Sequence, residues 1–348
     1  MMGMIRAMLF LMVALTPFSF AAADLLGSRP PVDQIREATA RCLPGNVVPA
    51  SGIAGISDPN TLDQRVVDLI AETGVRWVRA EFHWSQIQTT PNAAYRWGPY
   101  DEMVDRFNRA GINILAILTY VPPDMMHDWS VIDREFQRFA EAAVQRYAPR
   151  GVHYWEVFNE PNLTGYGWLR KEDDPRHYLG AYTLMLARAN QAVRENDPRG
   201  VVVLGGLASA AHRGLPAEET MDEIYGLGAG DCFDVFAYHP YGYQNRFAEA
   251  RARVDAILAA HGDTGKPVWF NEYGWTDFEA MDMARNPHWG NNPMLAVFKQ
   301  RENADALFWF AAKDYSARRD APTFGLADHN MNKRKSFDTF KAAIDHIQ

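Results

Sequence analysis

The chain is 348 residues long, 47% hydrophobic and 12% aromatic, with a formal net charge of -8. That length suffices for one large core of the α/β barrel type, which commonly runs to roughly 250 residues or more, and calls for no second domain. An acidic balance without any Lys/Arg run argues against a nucleic-acid partner, and two cysteines are too few for a disulfide-stapled scaffold or a paired-cysteine metal motif.

Residues 1–23 read as a secretory signal, with Arg6 in the basic region, an apolar stretch over 7–20 and the small residues Ala21-Ala22-Ala23 as a cleavage point. The stretch is shorter than the roughly 17 to 25 residues a spanning helix needs, so export to the periplasm or medium is expected, without stable membrane insertion. Residues 24–49 form an arm, with a short helix over 31–41 running into the Pro/Gly-rich passage 43–51. Cys42 lies in this arm and Cys232 far along the chain; two separate buried thiols are the better expectation, since sequence cannot place their Cα atoms within bonding range.

From residue 50 to 348 the pattern alternates. Apolar, β-branched or aromatic runs at 52–56, 75–80, 112–119, 152–158, 201–206, 233–238, 267–270 and 307–311 predict eight strands. Helical periodicity falls between them at 62–73, 100–110, 133–147, 217–225, 247–261, 293–302 and 336–346. The clearest helix is opened by Asp174 as cap and Pro175 at the first helical position, with Tyr178, Tyr182, Met185, Ala189 and Val193 on one face. Eight strand–helix pairs predict a (β/α)8 barrel; an open doubly wound sheet would usually carry a glycine-rich phosphate turn after an early strand, and there is none.

Two strand-like runs end on glutamate: Trp155-Glu156-Val157-Phe158-Asn159-Glu160-Pro161-Asn162 on the fourth strand and Val268-Trp269-Phe270-Asn271-Glu272-Tyr273-Gly274-Trp275 on the seventh. In a barrel both glutamates reach the C-terminal face, where reacting groups gather. Such a pair suits retaining cleavage of a glycosidic bond, which needs a proton donor and a nucleophile about 5 to 5.5 Å apart. Two carboxylates at that separation repel by about 3 kcal/mol at an effective dielectric of 20, enough to raise one of them by roughly 2 pH units.

Through Asn159-Glu160-Pro161 and Glu272-Tyr273-Gly274 the chain resembles the clan A glycoside hydrolases, and Phe158-Asn159-Glu160-Pro161-Asn162 looks most like family 39. The resemblance covers residues 50–348. It implies that Glu160 is the acid/base and Glu272 the nucleophile, with Asn159 donating to the sugar 2-hydroxyl. It also implies that Arg79, with Arg76 as the neighbouring alternative, holds the nucleophile carboxylate. Tyr241 would hydrogen-bond Glu272, His239 line the pocket, and Trp309 floor the reacting sugar's subsite.

Aromatic residues after the strands (Trp84, Tyr120, Trp129, Tyr243, Trp275 and Trp289, with His83, Tyr166 and Trp168) would bind several sugar units along a groove; Trp84 and Trp275 are taken as substrate contacts. No cofactor or metal is implied, since the chain has no His-Glu-x-x-His, serine elbow or Walker loop. The expectation is a secreted monomer that is endo-acting on a β-linked polysaccharide, with a bacterial exopolysaccharide among the candidates. The alternatives are an exo-acting β-xylosidase-like enzyme with a closed pocket and a carbohydrate-binding barrel. Arg170, Lys171, Arg318 and Arg319 are read as solvated surface charge.

Overall fold

A computed structural model describes residues 30–126, 128–164, 175–209, 214–243, 246–276, 301–315 and 323–347. The strands are β1 (Ile53–Ser57), β2 (Trp77–His83), β3 (Asn113–Thr119), β4 (Tyr154–Val157), β5 (Val201–Leu204), β6 (Leu207–Ala208), β7 (Phe236–His239), β8 (Val268–Tyr273) and β9 (Ala306–Phe310). All paired strands run parallel, in the order β5-β4-β3-β2-β1-β9-β8-β7-β6. β5 and β6 are one run broken at Gly205 and Gly206, and Leu204 N donates to Val235 O at 3.0 Å just before β7, so the two ends of the sheet meet. This is the (β/α)8 barrel that the alternation predicts.

Period-2 alternation sorts each strand into a face toward the lumen and a face toward the helices. Ile53, Leu115, Val201, Val203, Val235, Ala237, Trp269, Ala306 and Phe308 fill the lumen. Val78, Phe82, Trp155, Val157, Phe236, Phe270, Leu307 and Trp309 belong to the separate core beneath the helices. At Gly55 a Cβ would stand 2.7 Å from the Phe308 ring, so Phe308 of β9 fills the space a side chain there would take.

The outer layer comprises α1 (Val32–Thr39), α2 (Gln64–Glu72), the single turn α3 (Trp84–Ile87), α4 (Gly98–Arg109), α5 (Trp129–Tyr147), α6 (Pro175–Asn196), α7 (Ala217–Gly226), α8 (Phe247–Ala260) and α9 (Lys335–Ile347). α5 starts four residues earlier than expected because Asp128 caps it, accepting from Ser130 N at 2.9 Å. The helix expected over 293–302 lies outside the described residues apart from its last two, and so do the signal segment and Asp174.

The arm folds against the bottom of the barrel. Ile35 of α1 lies under Gly180 of α6, where a Cβ would stand 3.0 Å from its side chain. Leu43 N donates to the buried Asn190 at 3.1 Å, Gly45 N to Asp234 at 2.8 Å and Ala50 N to the Tyr154 hydroxyl at 3.1 Å. Cys42 and Cys232 are joined in a disulfide with Cα atoms 4.9 Å apart, which overturns the expectation of separate thiols. The cause is the route of the arm, which returns beneath the barrel to the segment before β7.

Candidate active site

The lumen-facing positions at the top of the barrel are charged. On β2 the alternation aims Trp77, Arg79, Glu81 and His83 inward, and on β4 it aims Tyr154 and Glu156. Arg79 is buried and bonded on every edge of its guanidinium. Nε donates to Glu156 Oε2 at 2.7 Å, Nη2 to Glu156 Oε1 at 2.8 Å and to Asn159 Oδ1 at 2.7 Å, and Nη1 to Glu272 Oε2 at 2.9 Å and Ser57 Oγ at 3.1 Å. Burial alone would favour losing its proton, but Glu156 and Glu272 more than offset that and hold the guanidinium charged. Arg76 is exposed on the outside, so Arg79 is the arginine of this site.

Glu272 reaches the lumen through a register shift. Phe270 pairs with Leu307 and Tyr273 with Trp309, so three steps on β8 face two on β9. The extra residue lets Asn271 and Glu272 both point inward, as bulges beside functional sites do. Glu272 accepts from Arg79 on one oxygen and from the Tyr241 hydroxyl, at 3.0 Å, on the other. Burial pushes the Glu272 carboxyl up, with the charge of Glu160 adding to the rise, while His239, Arg79 and the Tyr241 hydroxyl pull it down. Burial and the neighbouring carboxylate likewise keep Tyr241 a neutral donor.

Glu160 sits past β4 in a left-handed conformation, φ 46°, two residues after Phe158 at φ 60°. Such backbone in non-glycine residues stores roughly 1–3 kcal/mol each and persists only where the surroundings hold it. They do here: Glu160 N donates to Gly206 O at 3.1 Å, and buried Asn162 bonds Ala208 in both directions at 3.0 Å and Leu215 O at 2.9 Å. His239 Nδ1 lies 2.9 Å from Glu160 Oε1. One side-chain atom each of Glu160, His239 and Glu272 falls within 4.8 Å of the others, so the three form one polar cluster.

Glu160, Glu272, Arg79, Asn159, His239 and Tyr241 are therefore together. The bond from Arg79 occupies Asn159 Oδ1 and turns its Nδ2 donor the other way. The three tryptophans are not with them. Trp84 follows His83 and continues the outward face of β2 into the helix layer, where it stacks on Phe139 at 5.6 Å and donates to Gln88 at 2.8 Å. Trp309 also faces outward, against Tyr273 and Phe340, and Trp275 packs edge-on to it at 4.7 Å. The inward position at the end of β9 belongs to Phe310, which is partly exposed and packs on Phe324 at 5.6 Å.

Trp129 is buried at the start of α5, and Tyr243 carries the Arg246 guanidinium over its ring at 5.1 Å. Of the aromatic groove, His83 and Tyr120 stack at 4.2 Å beside Glu81, at the edge of a cavity of about 270 Å³ whose lining includes Asn60, Glu81, His83 and Gln86. Tyr166, Trp168, Arg170, Lys171, Trp289, Arg318 and Arg319 lie outside the described residues. Glu156, Glu81, Ser57 and Phe310 escaped the sequence reading. Period-2 alternation from Arg79 and from Phe308 would have found Glu81 and Phe310.

The family model described as cellulase (glycosyl hydrolase family 5) matches residues 44–315. A family 39 β-xylosidase from Caulobacter crescentus is 20% identical over 86% of this chain and 72% of its own, with a TM-score of 0.63. A glucosidase from Croceicoccus marinus is 19% identical over 87% and 68%, also at 0.63. A family 39 glycoside hydrolase from Bacteroides cellulosilyticus WH2 is 16% identical over 85% of this chain, with a TM-score of 0.60, and this chain spans only 64% of its length. At these identities the likeness is one of fold. No curated protein sequence matches the chain.

Proposed function

The chain belongs to the cellulase family, glycosyl hydrolase family 5, and we propose that it is a retaining β-glycosidase with Glu272 as nucleophile and Glu160 as acid/base. The observation that carries this is the approach of the two carboxylates, with oxygens within 4.8 Å on two different strand ends. Retention needs about 5 to 5.5 Å between the carboxyl groups, whereas inversion leaves 6.5 to 9.5 Å for a water.

In the first step Glu272 attacks the anomeric carbon as Glu160 gives its proton to the departing oxygen. Tyr241 and Arg79 fix both oxygens of the nucleophile, so it enters pre-aimed. Once Glu272 is esterified its charge is gone, and Glu160 takes a proton from the water that breaks the ester. Asn159, with its oxygen tied to Arg79, presents its amide donor to the sugar 2-hydroxyl.

The substrate we assign is a β-linked polysaccharide cut internally by an exported, monomeric enzyme, with a bacterial exopolysaccharide among the candidates. Export is supported by the sequence of residues 1–23 and by the Cys42–Cys232 bond, since cytosolic thiols are kept reduced. The test is release of reducing ends from neutral and acidic β-linked polysaccharides by the mature protein, beside Glu160→Gln and Glu272→Gln. Internal oligosaccharides from the wild type alone are expected. Monosaccharide release from chain ends would favour the exo mode that a β-xylosidase-like fold also accommodates, and binding without cleavage would leave a carbohydrate-binding barrel.

A further inference from the structure

Glu156 has no exposed surface, and a carboxyl buried in the barrel lumen is costly unless its oxygens are hydrogen-bonded. Its two oxygens take three hydrogen bonds: Arg79 Nε and Nη2, at 2.7 and 2.8 Å, and Gly206 N, at 3.0 Å. The first two form a bidentate pair that fixes the plane of the guanidinium and leaves Nη1 facing Glu272. The third holds the N–H of Gly206, the same residue whose carbonyl, in the following peptide, accepts from Glu160 N at 3.1 Å. Gly206 is closely confined, since a Cβ there would stand 2.1 Å from His239 Nε2 and 2.7 Å from Asn271 Oδ1.

We infer that Glu156 is the positioning residue of this site, one buried anion that sets the orientation and the charge sharing of Arg79 toward Glu272 and, through Gly206, the backbone seat of Glu160. The inference rests on the roles proposed for Glu160 and Glu272. A pair made only for stability would be complete with Arg79 and Glu156 alone, but here the same guanidinium serves two carboxylates and its positive charge is divided between them. Removing the charge of Glu156 leaves Arg79 to Glu272 alone, which favours the ionised nucleophile. Among the described residues the other titratable groups acting on Glu272 are Glu160, His239, Tyr241 and Tyr120, from the ends of β4, β7 and β3, and none of them changes in that substitution.

The test is a ¹³C titration of the glutamate carboxyls, assigned with Glu272→Gln, run with kcat/KM against pH on wild type, Glu156→Gln and Glu156→Asp. Glu156→Gln is expected to move the Glu272 transition and the acid limb of kcat/KM down by about one pH unit. Glu156→Asp keeps the charge one methylene short, so its acid limb stays in place while kcat drops at least about tenfold at similar KM. An unmoved Glu272 transition in folded Glu156→Gln overturns the inference. If that variant does not fold, wild-type kcat in Glu156→Asp overturns it. A shifted transition in a protein whose wild type cleaves no glycan would uphold the electrostatic role of Glu156 and sink the glycosidase reading instead.

Discussion

The two ends of this barrel are built to opposite rules. At the bottom, Trp77, Tyr154 and Trp269 meet with ring centroids 4.8 to 6.1 Å apart, the arm lies across them, Ala50 N is bonded to the Tyr154 hydroxyl, and the disulfide closes the seam. At the top the backbone is left-handed at Tyr120, Phe158 and Glu160, and charges are buried in series. His239 Nε2, Asn271 Oδ1 and Nδ2 and Thr119 Oγ1 are also buried there without a hydrogen-bond partner among the described residues, against Trp269 Nε1 in the lower trio. Buried polar atoms of that kind each oppose folding by roughly 1–3 kcal/mol, so the upper end is held in shape by the lower one. Activity and stability should accordingly separate by end.

The largest effect expected is at the carboxylates. Glu272→Gln should lose about 10⁴-fold or more in kcat and Glu160→Gln about 10²- to 10⁴-fold with a poor leaving group, while urea midpoints stay level or rise. A rise is expected above all for Glu272→Gln, because burial disfavours the ionised Glu272 carboxyl. A large fall in midpoint would mean that the top of the barrel supports the fold, contrary to the contrast drawn above.

Next come the adjacent residues Trp309 and Phe310, on opposite faces of β9. Trp309→Ala should cost about 3–5 kcal/mol in stability and leave KM unchanged in the folded fraction. Phe310→Ala should do the reverse, raising KM about tenfold with a smaller loss of stability, because an aromatic face lost from a sugar site is worth about 1 kcal/mol or more. Swapped outcomes would return the sugar floor to Trp309.

Cys42→Ser should lower stability by about 2–5 kcal/mol, the usual range for a bond closing a long loop, with kcat unaltered. Denaturant curves with and without reductant read this directly; a reductant-insensitive wild type would remove the latch from the lower end.

What the sequence disclosed follows from how locally each feature is encoded. The strands were legible because apolar runs and the helices between them repeat on the chain itself, and Glu160 and Glu272 because each closes such a run. Where sequence and structure part, the cause is that residue type does not by itself give the face of a strand. Trp309 is the largest aromatic on the last strand, but Phe308 fills the lumen, so that Phe310 shares the inward face. Glu156 lies inside a strand and not at its end, and only the outward Trp155 and Val157 on either side mark it as inward. The disulfide was beyond reach, since 190 residues of separation say nothing of where the arm returns.

The smallest effect expected concerns Asp58, the first residue past β1 at the upper end. It is buried, accepts from Asn60 N at 2.7 Å and from Lys313 N at 3.1 Å, and so ties the loop after β1 to the chain past β9. Burial, outweighing these hydrogen bonds, pushes its carboxyl up from 3.8 to about 6. A carboxyl raised on folding favours the native state when protonated, so its contribution is fully present below pH 3.8 and is lost as pH rises through about 6. That is a swing of about 3 kcal/mol for a shift of this size, against the upper end at neutral pH. Asp58→Asn should remove this part of the pH dependence: its stability relative to wild type should improve by up to that amount between pH 4 and 7.5. The comparison of slopes is unaffected by whatever hydrogen bonds the amide loses at every pH. A wild-type minus variant difference that is flat with pH would mean that Asp58 is ionised throughout, held by the amides of the two loops, and that the upper end tolerates one more buried charge than burial alone allows.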